Sequence, residues 1–258
     1  MIDLHCHILP GVDDGPQSLD ESLAMARAAV ADGIETLLAT PHTLNGVYHN
    51  PLNAVQSGVA ALRDALREED IPLRILAGGD VHLVPDMLQA IHAGDAVTID
   101  DQRRYILLEL PSHSLPPNLK DEIFRLKVGG VTPIITHPER NMALAQDSEI
   151  LFDLIEMGAL VQVTAMSLTG GFGAFVRGVS ERLLAQRLIH VIATDAHSRE
   201  GRPPILSRAV EVAAQVLRDS NEALRMVNET PAAILEGSPV DVPEPRKSMR
   251  RFRLFHRF

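Results

Sequence analysis

The chain has few of the features that mark secreted, disulfide-stabilised or membrane-spanning proteins. It has no tryptophan, 3% aromatic residues and a single cysteine, Cys6, so an internal disulfide is excluded. No apolar run approaches the ~18 residues that cross a bilayer. The sequence also does not open with a basic stretch followed by an apolar one. We therefore expect a cytoplasmic protein in which Cys6 is a small core residue.

Basic residues are scarce outside the C-terminal end. The net charge is −10, although residues 246–258 contain six Arg and Lys and no acid. An acidic body excludes nucleic acid as an expected partner, because phosphate backbones bind basic surfaces. In the tail, Met249, Phe252, Phe255 and Phe258 recur every three residues between arginines. This pattern suits an anionic membrane surface or an acidic partner, and it equally suits a disordered, solubilising tail.

Short β-branched runs alternate with amphipathic helical segments along the chain. Seven runs are predicted to be strands: 1–7, 35–40, 73–81, 105–111, 132–138, 160–165 and 190–194. Strands that alternate with helices imply parallel pairing and right-handed crossovers. Seven such units favour a closed or nearly closed α/β barrel, and an open doubly wound sheet is the alternative.

Helix signals agree with this organisation. Ser18 and Glu21 form a candidate capping box, and a second helix carries an apolar stripe at Val55, Val59, Leu62 and Leu66. Two helices, 204–218 and 221–236, are predicted after the last strand. We expect one domain over 1–237, followed by a proline-containing linker and basic tail over 238–258.

Residue types that bind metals stand at the carboxyl ends of six of the seven predicted strands, where barrels build their active sites. They are His5, His7, His42, Asp80, Glu109, His137, Asp195 and His197. Residues two apart on a strand point to one face, so His5 and His7 can hold one cation, and Asp195 and His197 repeat this spacing. Glu109 lies within an apolar strand, where a carboxylate is costly unless it is paired or bound to a metal. The joint pattern predicts a metal site.

Three further features leave alternatives open. Asp14, in Asp13-Asp14-Gly15, is either a ligand or part of a turn. Arg140 follows His137 by three residues, and Arg202 follows His197 by five. Each is either a phosphate-binding arginine or an ordinary surface arginine.

The loop Gly170-Gly171-Phe172-Gly173 is either flexible or close to the substrate, together with Ser167 and Thr169. A cysteine phosphatase is excluded, because Val12 stands where the motif of that class needs an arginine.

Taken together, the motifs resemble the PHP (polymerase and histidinol phosphatase) superfamily, and in particular its bacterial manganese-dependent protein tyrosine phosphatases of capsule and exopolysaccharide loci. The matching stretches are DLHCHILPGVDDGP, ATPH, LLELP, THPER, TDAH and GRPP. The resemblance implies a distorted (βα)7 barrel, TIM-like, with a trinuclear metal site. It also implies a phosphotyrosine protein as substrate, a bacterial tyrosine kinase.

The resemblance also assigns roles to the candidate residues. His5, His7 and Asp195 would hold the first cation, Glu109 and His137 the second with Asp80 as a bridge, and Asp14, His42 and His197 the third. Arg140 and Arg202 would bind the phosphoryl group, which a hydroxide shared by two cations would attack. Relatives typically have Glu at the position of Asp80. The family favours Mn²⁺, while mixed His and carboxylate ligands also suit Fe, Zn or Co.

Other functions remain open from the residues alone. A small-molecule phosphatase of the histidinol phosphatase type would use the same ligands. A non-catalytic regulator that binds a phosphotyrosine kinase is a further alternative. A metal-dependent amidohydrolase is disfavoured, because the bridging lysine common in that class has no counterpart at the predicted strand ends.

Overall fold

The protein is described here by a computed structural model of residues 1–246. The strands of this range are β1 Ile2–Cys6, β2 Thr36–Ala39, β3 His42–Thr43, β4 Arg74–Ala77, β5 Asp80–His82, β6 Tyr105–Glu109, β7 Thr132–Thr136, β8 Leu160–Thr164 and β9 Val191–Ala193. The α-helices are α1 Leu19–Ala31, α2 Leu52–Glu68, α3 Met87–Ala93, α4 Leu119–Val128, α5 Met142–Gln146, α6 Ser148–Glu156, α7 Ala165–Leu168, α8 Ala174–Ala185, α9 Ser207–Leu217, α10 Ser220–Arg225 and α11 Glu229–Leu235.

Each of the seven predicted positions contains a strand. The short strand β3 follows the position predicted over 35–40 and was not predicted. β2 and β3 pair with β4 and β5, which divide the next predicted position. The prediction of a continuous strand over 73–81 is wrong, because the chain breaks at Gly78-Gly79. Glycine weakens a strand interior and marks bends. The breaks after β2 and β4 divide the strands into a three-stranded sheet, β1-β2-β4, and a six-stranded sheet, β3-β5-β6-β7-β8-β9.

The sheet closes between the first and last strands. Cys6 and Ala196 form a parallel bridge, the His7 N–H donates to Ala196 O at 2.8 Å, and the Asp195 N–H donates to His5 O at 2.7 Å. All other strand pairs are also parallel. The α/β barrel is therefore confirmed, and the open-sheet alternative is wrong.

The helix predictions are confirmed in part. The Ser18 side chain caps α1 by accepting from the Glu21 N–H, and the apolar stripe of α2 is buried. The predicted helix 204–218 is α9. The single helix predicted over 221–236 is wrong, since it divides into α10 and α11. Pro231 lies in the first turn of α11, where its ring and missing N–H prevent a continuous helix.

Residues 238–246 run back along the end of the barrel opposite the predicted metal ligands. Tyr105 Oη donates to Ser238 O at 2.5 Å, and the Arg246 N–H donates to Gln186 O at 2.7 Å. Within the described range, no helix has the length and apolar character needed to cross a bilayer. The tail hypothesis falls on residues 247–258, outside the described residues, and the boundary at 237 stays a prediction.

Candidate metal centre

The structure brings the nine candidate ligands together at the carboxyl ends of the strands. His5 lies in β1 and Glu109 ends β6, while His42 and Asp80 begin β3 and β5. The remaining ligands come from the segments that follow β1, β7 and β9: His7, Asp14, His137, Asp195 and His197. The His5 and Asp80 side chains are fully buried, and Asp14 stands at the mouth with half its side chain exposed.

The first predicted ligand set is compact. His5 Nε2 and His7 Nε2 lie 3.2 Å apart, and each is 3.5 Å from Asp195 Oδ1. Ligands that each stand about 2.1 Å from one ion are roughly 3–3.5 Å from one another. These three atoms therefore have a spacing that one cation can occupy.

Asp80 lies between the first and second predicted sets. Its Oδ2 is 3.6 Å from His5 Nε2, 3.2 Å from His42 Nδ1 and 3.8 Å from His137 Nε2. Glu109 Oε1 is 3.9 Å from the same His137 nitrogen. The aspartate thus lies within reach of histidines from all three predicted sets.

The third set, Asp14, His42 and His197, also comes together. Asp14 Oδ1 lies 3.4 Å from His197 Nε2 and 3.6 Å from His42 Nε2. His7 offers a nitrogen to the same group. In the Asp13-Asp14-Gly15 segment, Asp13 Oδ1 accepts from the Gly15 N–H in a turn, while Asp14 lies near His42 and His197; its role as a ligand stays a prediction.

The carboxylates of the cluster favour positive charge at its centre. Burial alone would lower the pKa of His5, but the carboxylates of Asp80 and Asp195 outweigh it and raise this pKa to about 9. The pKa of His42 is likewise raised to about 9, since Asp80, Glu109 and Asp14 outweigh its burial. Burial would raise the pKa of Asp80, but the surrounding imidazoles hold it well below its usual range.

Buried polar atoms that have no hydrogen-bond partner indicate whether cations fit in the cluster of candidate ligands. Asp80 Oδ2, His42 Nδ1 and His197 Nε2 are buried without a hydrogen-bond partner. Such atoms are expensive unless something else satisfies them. Imidazole nitrogens and carboxylate oxygens are the donor set of Mn, Fe and Zn sites. The residues present therefore fit divalent cations.

The two candidate arginines converge on the far side of Asp195. Arg202 Nη2 lies 2.6 Å from Asp195 Oδ2, and Arg140 Nη2 contacts the same oxygen more closely. Burial would raise the pKa of Asp195, but Arg140, His5 and Arg202 keep it well below its usual range. Both arginines line a cavity of about 250 Å³ together with His42, Glu109 and His137. They are therefore part of the site and not ordinary surface arginines.

Several supporting residues were missed by the sequence reasoning. Asp13 Oδ2 lies 2.7 Å from His7 Nδ1 and accepts from the His42 N–H at 3.1 Å. Gln162 Oε1 lies 3.1 Å from His5 Nδ1, and His82 Nδ1 lies 3.5 Å from Glu109 Oε2. A polar residue inside the apolar run 160–165 was the available signal for Gln162.

The backbone is strained at two of the ligands. His137 and Asp195 follow β7 and β9 with φ of 36° and 51°, in the left-handed region that is uncommon for residues other than glycine, although Asp and His adopt it more often than most. Strain of this kind clusters at functional sites.

Three further predictions concern Glu109, Cys6 and the pair Ser167 and Thr169. Glu109 is the last residue of β6 and is 18% exposed, so it is not enclosed in an apolar strand as expected. Cys6 is fully buried, and burial raises the pKa of its thiol, which suits a core residue and not a nucleophile. The buried Ser167 donates to Glu139 at 2.6 Å and Thr169 is exposed, so neither contacts the cluster.

Fold and site together define a class, the barrel hydrolases with a histidine and carboxylate metal centre. A TatD family hydrolase from Entamoeba histolytica shares the fold, with a TM-score of 0.54 at 11% identity over 91% of this chain and 97% of that one. The family model described as "Capsular polysaccharide synthesis, CpsB/CapC" matches residues 1–236. The chain belongs to the CpsB/CapC family, and the predicted resemblance is confirmed.

Relatives in this family are named as tyrosine phosphatases. The chain is 36% identical to the tyrosine-protein phosphatase YwqE of Bacillus subtilis, over 99% of this chain and 100% of the relative. It is 30% identical to the tyrosine-protein phosphatase CpsB of Streptococcus pneumoniae, over 83% and 90%. Crystal structures of both proteins have been solved, and the two are described there as metal-dependent tyrosine phosphatases. One such chain superposes with a TM-score of 0.92 at 36% identity, over 97% of this chain and 100% of that one.

Proposed function

We propose that this protein is a Mn²⁺-dependent phosphatase that hydrolyses phosphotyrosine in a partner protein, a bacterial tyrosine kinase of capsule or exopolysaccharide synthesis. The observation that carries the proposal is the clustering of candidate ligand side chains at one rim of the barrel, where His42, Glu109, His137 and Asp195 line a cavity together with two arginines. Full-length similarity to metal-dependent tyrosine phosphatases supports the same activity.

Three neighbouring groups of residues would hold the cations. They are His5, His7 and Asp195; Asp80, Glu109 and His137; and Asp14, His42 and His197. Bound divalent cations supply Lewis acidity toward phosphoryl oxygens and lower the pKa of water.

The chain's own groups bind and orient the substrate. Arg140 and Arg202 present planar guanidinium groups to the cavity, where each can bind two phosphoryl oxygens. Asp195 holds both guanidiniums through one oxygen and faces His5 and His7 with the other. A tyrosine leaving group has a pKa of about 10, so it needs less protonation than an alkyl alcohol.

The test is a phosphatase assay across substrates and metals. Protein stripped with EDTA and dialysed is expected to lose activity on a phosphotyrosine peptide and to regain it most fully with Mn²⁺. Histidinol phosphate and a phosphoserine peptide are expected to turn over more slowly. His42→Ala should lose activity, whereas Cys6→Ser should keep it. Activity that survives the stripping and is abolished by Cys6→Ser would contradict the proposal.

The proposal extends to location and to domain organisation. The protein would be cytoplasmic, with its barrel held near the inner membrane face by the basic residues 246–258. The six basic residues and the phenylalanine spacing of residues 246–258 support this contact. Full-length protein should co-sediment with phosphatidylserine vesicles and less with phosphatidylcholine vesicles. A chain ending at residue 245 should remain in solution with both. Equal sedimentation of the two chains would overturn the tail's role.

A further inference from the structure

Phe172 lies on a tightly folded loop between α7 and α8. The Gly171 N–H donates to Met166 O at 2.9 Å, and a Cβ on Gly171 would lie 2.4 Å from Met166 Cγ. Only glycine permits this close approach. The loop therefore folds back against α7, which fixes the position of the next side chain, Phe172.

The Phe172 ring contacts both arginines of the site. Arg140 Cζ lies 5.1 Å from the ring centroid and Arg202 Cζ lies 5.7 Å from it. A guanidinium within about 6 Å of an aromatic centroid is attracted to the negative face of the ring. The two arginines come from different segments, after β7 and after β9, so this one ring joins them.

Both guanidiniums also converge on a single carboxylate oxygen, Asp195 Oδ2. Two like charges held this close repel each other, and the repulsion is stronger in a partly buried site than in water. At this oxygen one carboxylate meets two positive charges, while Glu139 and Asp80 also attract Arg140. The face of Phe172 adds negative potential where the two guanidiniums approach each other.

We propose that Phe172 is a positioning residue that holds Arg140 and Arg202 together for capture of a phosphate dianion. The ring is not among the residues that line the cavity, so it acts through the two arginines and not by contact with the phosphoryl group. The substrate part of this inference rests on the proposed function, while the anion-binding part can be measured separately.

The first test compares Phe172→Leu with Phe172→Tyr, and Phe175→Leu serves as the matched control. Leu fills much of the space without an aromatic face, and Tyr keeps that face. Phe175 is three residues further on and 70% exposed. In Mn²⁺-loaded protein, calorimetry should show inorganic phosphate binding about tenfold weaker in Phe172→Leu and near the unsubstituted value in the other two. KM for a phosphotyrosine peptide should rise more than kcat falls.

A second test separates the ring's electrostatics from its shape. Replacing Phe172 with mono-, di- and trifluorinated phenylalanine lowers the negative potential of the ring face with little change in size. Phosphate affinity should fall stepwise along this series, which a purely structural role would not produce. Thermal unfolding of each variant checks that the fold is kept.

The outcomes distinguish this inference from the proposed function. Phosphate affinity that is unchanged by Phe172→Leu or by fluorination would overturn the inference, even in an active phosphatase. If the unsubstituted protein binds phosphate but does not hydrolyse phosphotyrosine, the proposed function fails and the affinities still decide the role of Phe172. An unsubstituted protein that binds no phosphate would contradict both.

Discussion

At the scale of single residues, the candidate ligands depend on neighbours that hold their imidazoles in place. Asp13 contacts His7 and the backbone of His42, and Gln162 contacts His5 across 157 residues of sequence. A partner on one ring nitrogen fixes which nitrogen faces the metal. The ligand types could be predicted, because strand periodicity places them on one rim. The partner of His5 could not, because that contact exists only in the folded barrel.

Asp13→Asn should weaken Mn²⁺ binding and activity while leaving the fold intact. The amide cannot accept with the same charge, so the His7 imidazole loses its orientation. We expect a 10- to 100-fold loss, as is typical when such a partner is changed. Metal titration and steady-state kinetics measure it, and Asp20→Asn on the exposed face of α1 is the control. Equal metal affinities for the two variants would show that Asp13 does not orient the site.

His190 should make the protein less stable as the pH falls. Burial, together with the charge of Arg225, lowers the pKa of His190 to about 4. Its Nδ1 accepts from the Val161 N–H at 3.0 Å, so protonation there would break this bond. Between pH 6.5 and about 4, the unfolded chain binds a proton at this histidine and the folded chain does not. The free energy of unfolding therefore decreases as the pH is lowered through this range.

Substituting His190 should remove this contribution. We expect His190→Gln to reduce the slope of unfolding free energy against pH in that window by up to about 1.4 kcal/mol per unit. Urea denaturation at several pH values measures the slope. The exposed His92→Gln is the control. An unchanged slope in His190→Gln would show that this histidine does not titrate as described.

At the scale of elements, the contact between β1 and β9, the seam, closes the barrel. It also brings together four candidate ligands, which are His5, His7, Asp195 and His197. The buried Asp3 accepts from the Thr194 N–H at 2.9 Å and from the Thr194 hydroxyl at 2.5 Å. Burial raises the pKa of Asp3 to about 6, and these hydrogen bonds counteract the rise. The seam therefore rests on a buried acid that periodicity alone did not single out.

Thr194→Val should destabilise the protein by about 1–3 kcal/mol, because it removes one donor from a buried carboxylate and keeps the side-chain shape. Chemical denaturation of metal-free protein measures the loss. Thr169→Val, on an exposed residue, should change stability by less than about 0.5 kcal/mol. Similar losses in the two variants would argue against a specific role for the seam.

Element boundaries were less predictable than element types. The seven strand positions follow from β-branched runs, whereas the break at Gly78-Gly79 depends on how two neighbouring strands meet. The division of the 221–236 helix had a local signal in Pro231, which competes with a favourable helical pattern. Hydrophobic periodicity therefore predicted whether a segment is a helix or a strand. The residue at which the segment ends depended more on tertiary contacts.

At the scale of the whole molecule, residues 238–246 behave as part of the barrel surface. Arg225 donates to Asp241 O at 3.3 Å, and Val240 packs against the smaller apolar cluster of the core. A chain ending at 237 should therefore be less stable than one ending at 246, by about 1–3 kcal/mol. Thermal unfolding of the two truncated chains tests this, and identical curves would place the domain boundary at 237.

In the proposed function, side chains that are distant in sequence bind shared cations at the carboxyl-end rim of the barrel. The most direct measurement is anomalous diffraction at the manganese edge from crystals grown with Mn²⁺. We expect peaks among His5, His7, His42, Asp80 and His137, each within about 2.4 Å of imidazole nitrogens or carboxylate oxygens. Crystals of active protein with no manganese peak in this cluster, or with these side chains apart, would contradict it.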